Sequence, residues 1–143
     1  MLQQTLMSLK PAPSTREDYS RVQETLLKTI GNEDAHVRRH AAYQVGEWAT
    51  SNEDLAPLRD MVMYEEDINA RARAIGSIAA SSFRSEENKA ALEYVVNNTG
   101  EWVVMREHAL ESLQLNYALS DNELLIYEAL AEQLAEEVKQ LQQ

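Results

Sequence analysis

Cysteine is absent from the 143 residues, which excludes disulfides, thiolate chemistry and cysteine-containing zinc sites and fits a reducing compartment. Glycine and proline are scarce, at 4 and 3 residues, while 44% of the chain is hydrophobic, mostly Ala, Leu and Val. That balance belongs to a folded, helix-rich chain rather than a disordered one. No apolar run approaches ~18 residues, so no membrane span is expected. Met1 to Lys10 carry Leu2, Leu6 and Leu9 without a leading positive charge, a poor signal peptide. Positive charge is short too: 13 basic residues face 24 acidic ones, for a net charge of −11. Nucleic-acid binders draw most of their affinity from neutralising phosphates, so the balance points away from DNA, RNA and anionic membranes. The expectation is a cytoplasmic protein of one domain's length, 1–143, with enough chain for a real core.

What is present is repetition. Asp34-Ala35-His36-Val37-Arg38-Arg39-His40-Ala41-Ala42-Tyr43-Gln44-Val45-Gly46 overlays the stretch from Asp67 to Ile78, and both overlay Trp102 to Leu113. An Arg recurs at 38, 71 and 106, an Ala at 41, 74 and 109, and an apolar residue at 45, 78 and 113. The steps are 33 and 35 residues, a period that marks a helical solenoid. A second signal keeps the same beat. Ser14, Ser51, Ser85 and Ser120 each stand three residues before a side chain able to reach back, and Ser14/Glu17 and Ser120/Glu123 fit the capping-box pattern.

These signals predict first helices over about 15–30, 52–64, 86–98 and 121–141, and second helices over about 35–49, 68–82 and 102–117. Gly31 and Gly100 fall where a left-handed C-cap is wanted. Pro57 falls within the first turns of its helix, where it is tolerated. The chain then divides into a cap or tail (1–13), three repeats (14–50, 51–84, 85–119) and a last helix (120–143). In that helix Leu124, Tyr127, Ala131, Leu134, Val138 and Leu141 form an a/d seam against a glutamate-rich remainder. Two readings stand: a terminal capping helix, which solenoids need for solubility, or a homodimer through residues 124–141.

The pattern Asp-x-x-Val-Arg-x-x-Ala-Ala-x-x-Val-Gly at 34–46 resembles the second helix of a HEAT repeat, closest to the bacterial HEAT-like class of the phycobilin lyases. The resemblance covers about residues 15–141. It implies an all-α fold, a right-handed α–α superhelix of about three and a half helical pairs. It also implies that Arg38, Arg71 and Arg106 form a structural ladder, each bonding across to an acidic residue or turn carbonyl of a neighbouring repeat. Repeat 2 departs with Ala70 in place of Val, and repeat 3 with Trp102 in place of Asp.

Helical geometry turns Val37, Ala41, Ala42, Val45 and Ala49 inward, as it does Ala70, Ala74, Ile75 and Ile78, and Met105, Ala109, Leu110 and Leu113. The remaining stripe faces the concave surface, where superhelices bind extended partners. It holds Arg39, His40, Tyr43, Gln44 and Glu47, then Arg73, Ser77 and a flat spot at Gly76, then Glu107, His108, Glu111 and Ser112. His40, Arg73 and His108 are equivalent positions on successive repeats, so a row ~10 Å apart is expected. With a repeat between them, the two histidines are too far apart to share a metal at ~2.0–2.1 Å. HEAT-like deoxyhypusine hydroxylases carry His-Glu pairs at this helix position, and none occurs here.

No serine–histidine–aspartate arrangement, phosphate loop or nucleotide fingerprint is present. The expectation is a non-enzymatic protein–protein interaction module, an adaptor, chaperone or regulator, with no catalytic residue, cofactor or metal. Its concave-face site comprises Arg39, His40, Tyr43, Glu47, Arg73, Glu107, His108 and Glu111. The partner is a protein or peptide carrying either a basic segment, drawn by the −11 charge, or an acidic patch seated on Arg39 and Arg73. One alternative is a subunit of a HEAT-like lyase acting on a protein substrate. A second is a relative of the HEAT-like DNA-alkylation-repair glycosylases, with Tyr43, Glu47 or Trp48 at a base-binding site. Trp48 beside the buried stripe reads more simply as core.

Overall fold

Helix-forming alanines and aliphatics at helical spacing, punctuated by Asp and Ser caps, make the regular elements of the described residues all helical. The computed structural model describes residues 28–142, and no strand occurs among them. In order they form α1 (Ala35–Trp48), a 3-10 turn (Glu53–Leu55), α2 (Ala56–Tyr64), α3 (Ile68–Ala80), α4 (Glu86–Asn97), α5 (Val103–Asn116) and α6 (Asp121–Leu141), with residues 28–30 also helical. The 1–13 segment, the Ser14/Glu17 cap and most of the expected 15–30 helix lie outside the described residues. No helix among the described residues is long and apolar enough to cross a membrane. The chain divides into two compact units, Met1–Ser77 and Ile78–Gln143.

In the first unit Asp34 caps α1, its carboxylate accepting the His36 N–H at 2.8 Å. Val37, Ala41, Ala42, Val45 and Trp48 form the buried stripe of that helix, and Ala49 ends it half-buried. The expected 52–64 helix is divided in two. Ser51 Oγ accepts the Asp54 N–H, a 3-10 turn follows, and the Ala56 N–H bonds the Glu53 carbonyl. Pro57 therefore enters at the start of α2, where its missing N–H leaves no bond unmade. Leu55, Leu58, Met61 and Val62 supply the buried side of this pair. Asp67 then caps α3, accepting from the Ala70 N–H at 2.9 Å, and Ala70, Ala74 and Ile75 are fully buried.

The two mid-helix glycines here have opposite surroundings. A Cβ on Gly46 would lie 2.9 Å from Ser77 Oγ and 3.0 Å from Ser77 Cβ, whereas one on Gly76 would meet nothing within 4 Å. Alanine is worth ~1 kcal/mol over glycine inside a helix, and overpacking costs ~1–3 kcal/mol. Gly76→Ala should therefore raise the melting temperature, and Gly46→Ala should lower it despite the better propensity. Thermal melts of the two single variants check both signs.

In the second unit Ser85 caps α4 by accepting the Asn88 N–H at 3.1 Å. Asn88 is itself fully buried, and its side-chain amide donates to the Phe83 carbonyl at 2.7 Å. Ala91, Leu92, Val95 and Val96 bury the inner stripe of α4, and Ala109, Leu110 and Leu113 that of α5. Helix α5 packs against both α4 and α6. A full capping box at Ser120 and Glu123 starts α6. Two polar bonds tie this helix to α4: Lys89 Nζ to Glu123 at 3.2 Å, and the Tyr127 hydroxyl donating to Glu93 at 2.8 Å. Burial, then the Glu93 carboxylate, pushes the Tyr127 phenol far above the usual tyrosine range.

The a/d seam of α6 is used unevenly. Tyr127 and Leu134 are buried, whereas Leu124 and Leu141 at its two ends are 45% and 65% exposed, so its centre serves this unit's own core. Three further expectations are corrected. No residue among the described ones has a positive φ, so Gly31 and Gly100 are not left-handed caps. After α4 the work falls to Asn98, whose side chain accepts the Gly100 N–H and whose carbonyl accepts that of Glu101. Ser112, placed on the open stripe by periodicity, is buried at 6% exposure and donates to the Ala79 carbonyl at 2.9 Å. Met105, expected inward, is only half-buried.

Candidate functional site

The recurring arginines sort structure from function. Arg38 Nη1 donates to the Asn32 and Glu33 carbonyls, both at 2.9 Å. Arg71 Nη1 donates to the Glu65 and Glu66 carbonyls at 3.0 and 3.5 Å. The offsets are the same, six and five residues back, so each clamps the turn that precedes its own helix. Arg106 departs: its Nε and Nη2 both donate to the Val96 carbonyl, at 3.0 and 2.8 Å. The link before α5 is longer, 98–102 against 65–67, and Trp102 replaces the capping Asp. The contacts of Arg71 and Arg106 named here therefore close turns within their own repeats, where the resemblance implied bonds to a neighbouring one.

Arg38 does reach the next repeat. Its Nε and Nη2 grip both Glu65 carboxylate oxygens at 2.6 and 2.9 Å, and Glu65 Oε2 also accepts the Asp67 N–H at 3.0 Å. The Glu65 side chain is only 6% exposed and that of Arg38 21%. The guanidinium holds the Glu65 carboxyl below the usual glutamate range against the opposing effect of burial, and Glu65 in turn raises Arg38. Nothing in the repeat pattern singles out Glu65, because the equivalent positions are Asn32 and Gly100. This pair lines an open hollow of about 450 Å³ together with Ile30, Pro57, Asp60, Met61, Tyr64 and Glu66.

The convergence that periodicity did find lies on the outward stripe of α1 and α3. Burial of Val37, Ala41 and Ala42 turns Arg39 and Tyr43 to the surface and leaves His40 half-buried. Burial of Ala70 and Ala74 does the same for Arg73 on α3. Arg39, His40, Tyr43 and Arg73 line one hollow of about 220 Å³. The Arg73 guanidinium carbon sits 5.3 Å from the centre of the Tyr43 ring, a cation–π contact worth ~0.5–1 kcal/mol at an exposed position. Among the described residues neither Arg39 nor Arg73 is paired with a carboxylate.

The other expected site residues are placed as follows. Glu47 is exposed one helical turn beyond Tyr43. Glu107 is half-buried and His108 and Glu111 exposed, all on α5 of the second unit. Trp48 is buried at 5% exposure, its indole N–H donating to Gln44 at 3.1 Å, so it belongs to the core. Among the described residues no group of three His, Asp or Glu side chains is arranged to hold a metal ion. Comparison of the chain with protein-family models, with curated proteins and with solved structures returned no match.

Proposed function

We propose that this chain is a HEAT-like repeat protein, a right-handed superhelix of about three and a half helical pairs acting as a non-enzymatic protein-binding module. The observation that carries the reading is the meeting of Arg39, His40, Tyr43 and Arg73, from two second helices, in one open hollow. Polar groups that serve the fold are satisfied: the ladder arginines clamp turns and Ser112 bonds a carbonyl. The residues of the hollow have no such duty, which is what a docking face looks like. Of the two partner chemistries, an acidic segment fits this cationic hollow better than a basic one. The repair-like alternative is weakened by burial of Trp48, which removes the larger aromatic from any base-binding surface. The centre of the α6 seam, buried within its own unit, favours a capping role for that helix over a dimer seam.

Replacing Arg39, His40, Tyr43 and Arg73 together by Ala should leave the fold intact, since surface changes stay within ~0.5 kcal/mol each. Affinity capture from the source cell, with the wild type and this variant compared by quantitative mass spectrometry, is the test. The expected result is a protein retained by the wild type and lost by a normally melting variant. Equal retention by both would place binding elsewhere.

A further inference from the structure

We propose that the hollow between α1 and α3 is an oxyanion site, built to receive a phosphorylated side chain of the partner protein. This rests on the docking reading above and specifies its chemistry. The chain carries 24 acidic residues against 13 basic ones, so an unpaired cation is an exception that needs a reason. Here two of those basic side chains, Arg39 and Arg73, share one hollow of about 220 Å³ with His40. Its size suits a single functional group rather than a nucleotide or a cofactor.

Geometry favours phosphate over carboxylate. Arg73 lies over the Tyr43 ring, a contact that restricts its guanidinium without using up its N–H donors. Arg39 and His40 bring further donor groups from α1. Two guanidinium groups and an imidazole on two helices offer enough donors for the three acceptor oxygens and nearly double charge of a phosphomonoester. A carboxylate, with two oxygens and one charge, is satisfied by a single guanidinium fork. The overall −11 charge opposes any anion at long range, but screening over ~8 Å at physiological salt leaves the local cations dominant. Tyr43 is then a positioning residue, since it acts through Arg73.

The experiment is a titration of the isotopically labelled full chain, followed by amide chemical shifts at fixed ionic strength, with phenyl phosphate, inorganic phosphate and benzoate as probes. Saturable shifts centred on residues 39–43 and 73 are expected with both phosphates, and ~10-fold weaker binding of benzoate. An R39Q/R73Q variant should lose those shifts with an unchanged melting temperature. Tyr43→Phe, which keeps the ring, should retain binding, whereas Tyr43→Ala should weaken it. Shifts that never saturate, shifts unaffected by R39Q/R73Q, or benzoate binding as tight as phenyl phosphate would each overturn the proposal. Failure here is separable from failure of the docking reading. If the four-residue variant keeps its partner while phenyl phosphate still binds the wild type, docking is elsewhere and the oxyanion site stands.

Discussion

Arg38→Met should destabilise the protein by about 3 kcal/mol, because it strips the guanidinium from a carboxylate that is already out of water. Glu65 is 6% exposed and takes two charge-assisted bonds from Arg38, which also closes the turn at Asn32 and Glu33. Breaking a buried pair from one side costs ~3–5 kcal/mol, and the 21% exposure of the Arg38 side chain puts this case at the lower end. The sign of the pH dependence follows from the direction of the Glu65 shift. Its folded value is depressed, so the pair's contribution is fully present above the unfolded glutamate value of ~4.3 and fades as pH falls through the folded one. Denaturant unfolding of wild type and variant at pH 6 and pH 3 should show the gap narrowing on the acid side. A gap that stays constant across that range would mean the loss came from the turn contacts alone.

Leu110→Ala should cost about the same, ~3 kcal/mol, and for a different reason. The side chain is 1% exposed on α5, the helix packed against both α4 and α6, so truncation leaves a cavity that those neighbours cannot close. The comparison that gives this prediction its interest is internal. The equivalent positions in the other two repeats are Ala42 and Ile75, both fully buried. The same register thus holds Ala at the first site and the larger Ile and Leu at the other two, all at full burial. Alanine is native at one site and a cavity at another. A Leu110→Ala loss below ~1 kcal/mol would show that α5 relaxes onto its neighbours.

Much of this was legible in the residues. The Arg–Ala–aliphatic beat and the serine caps place α3, α4 and α5 within two residues of where they are found, and α6 at the expected bounds. Periodicity also gathered Arg39, His40, Tyr43 and Arg73 on one stripe, and those four do share a hollow. What it missed depends on distances that a register does not contain. Ser112 lies at the edge of the stripe, and only the proximity of the Ala79 carbonyl makes it a buried, bonded group. Glu65 has no counterpart in the repeat, so its grip on Arg38 leaves no periodic trace. The glycine caps failed because Asn98 and the turn at Asn32 close the helices with ordinary backbone angles.

The chain contains two tryptophans, and they fall one in each compact unit with opposite exposure, Trp48 at 5% and Trp102 at 50%. Their light emission is therefore not an even report on the molecule. Trp48 passes from an apolar surrounding into water when its unit opens, which moves its fluorescence to longer wavelength, while Trp102 is already half in water and changes little. An intrinsic fluorescence curve follows chiefly the unit that holds Trp48, whereas circular dichroism weighs all helices alike. Overlay of the two curves tests whether the halves let go together, and a fluorescence midpoint displaced from the dichroism midpoint would resolve them as separate cooperative steps.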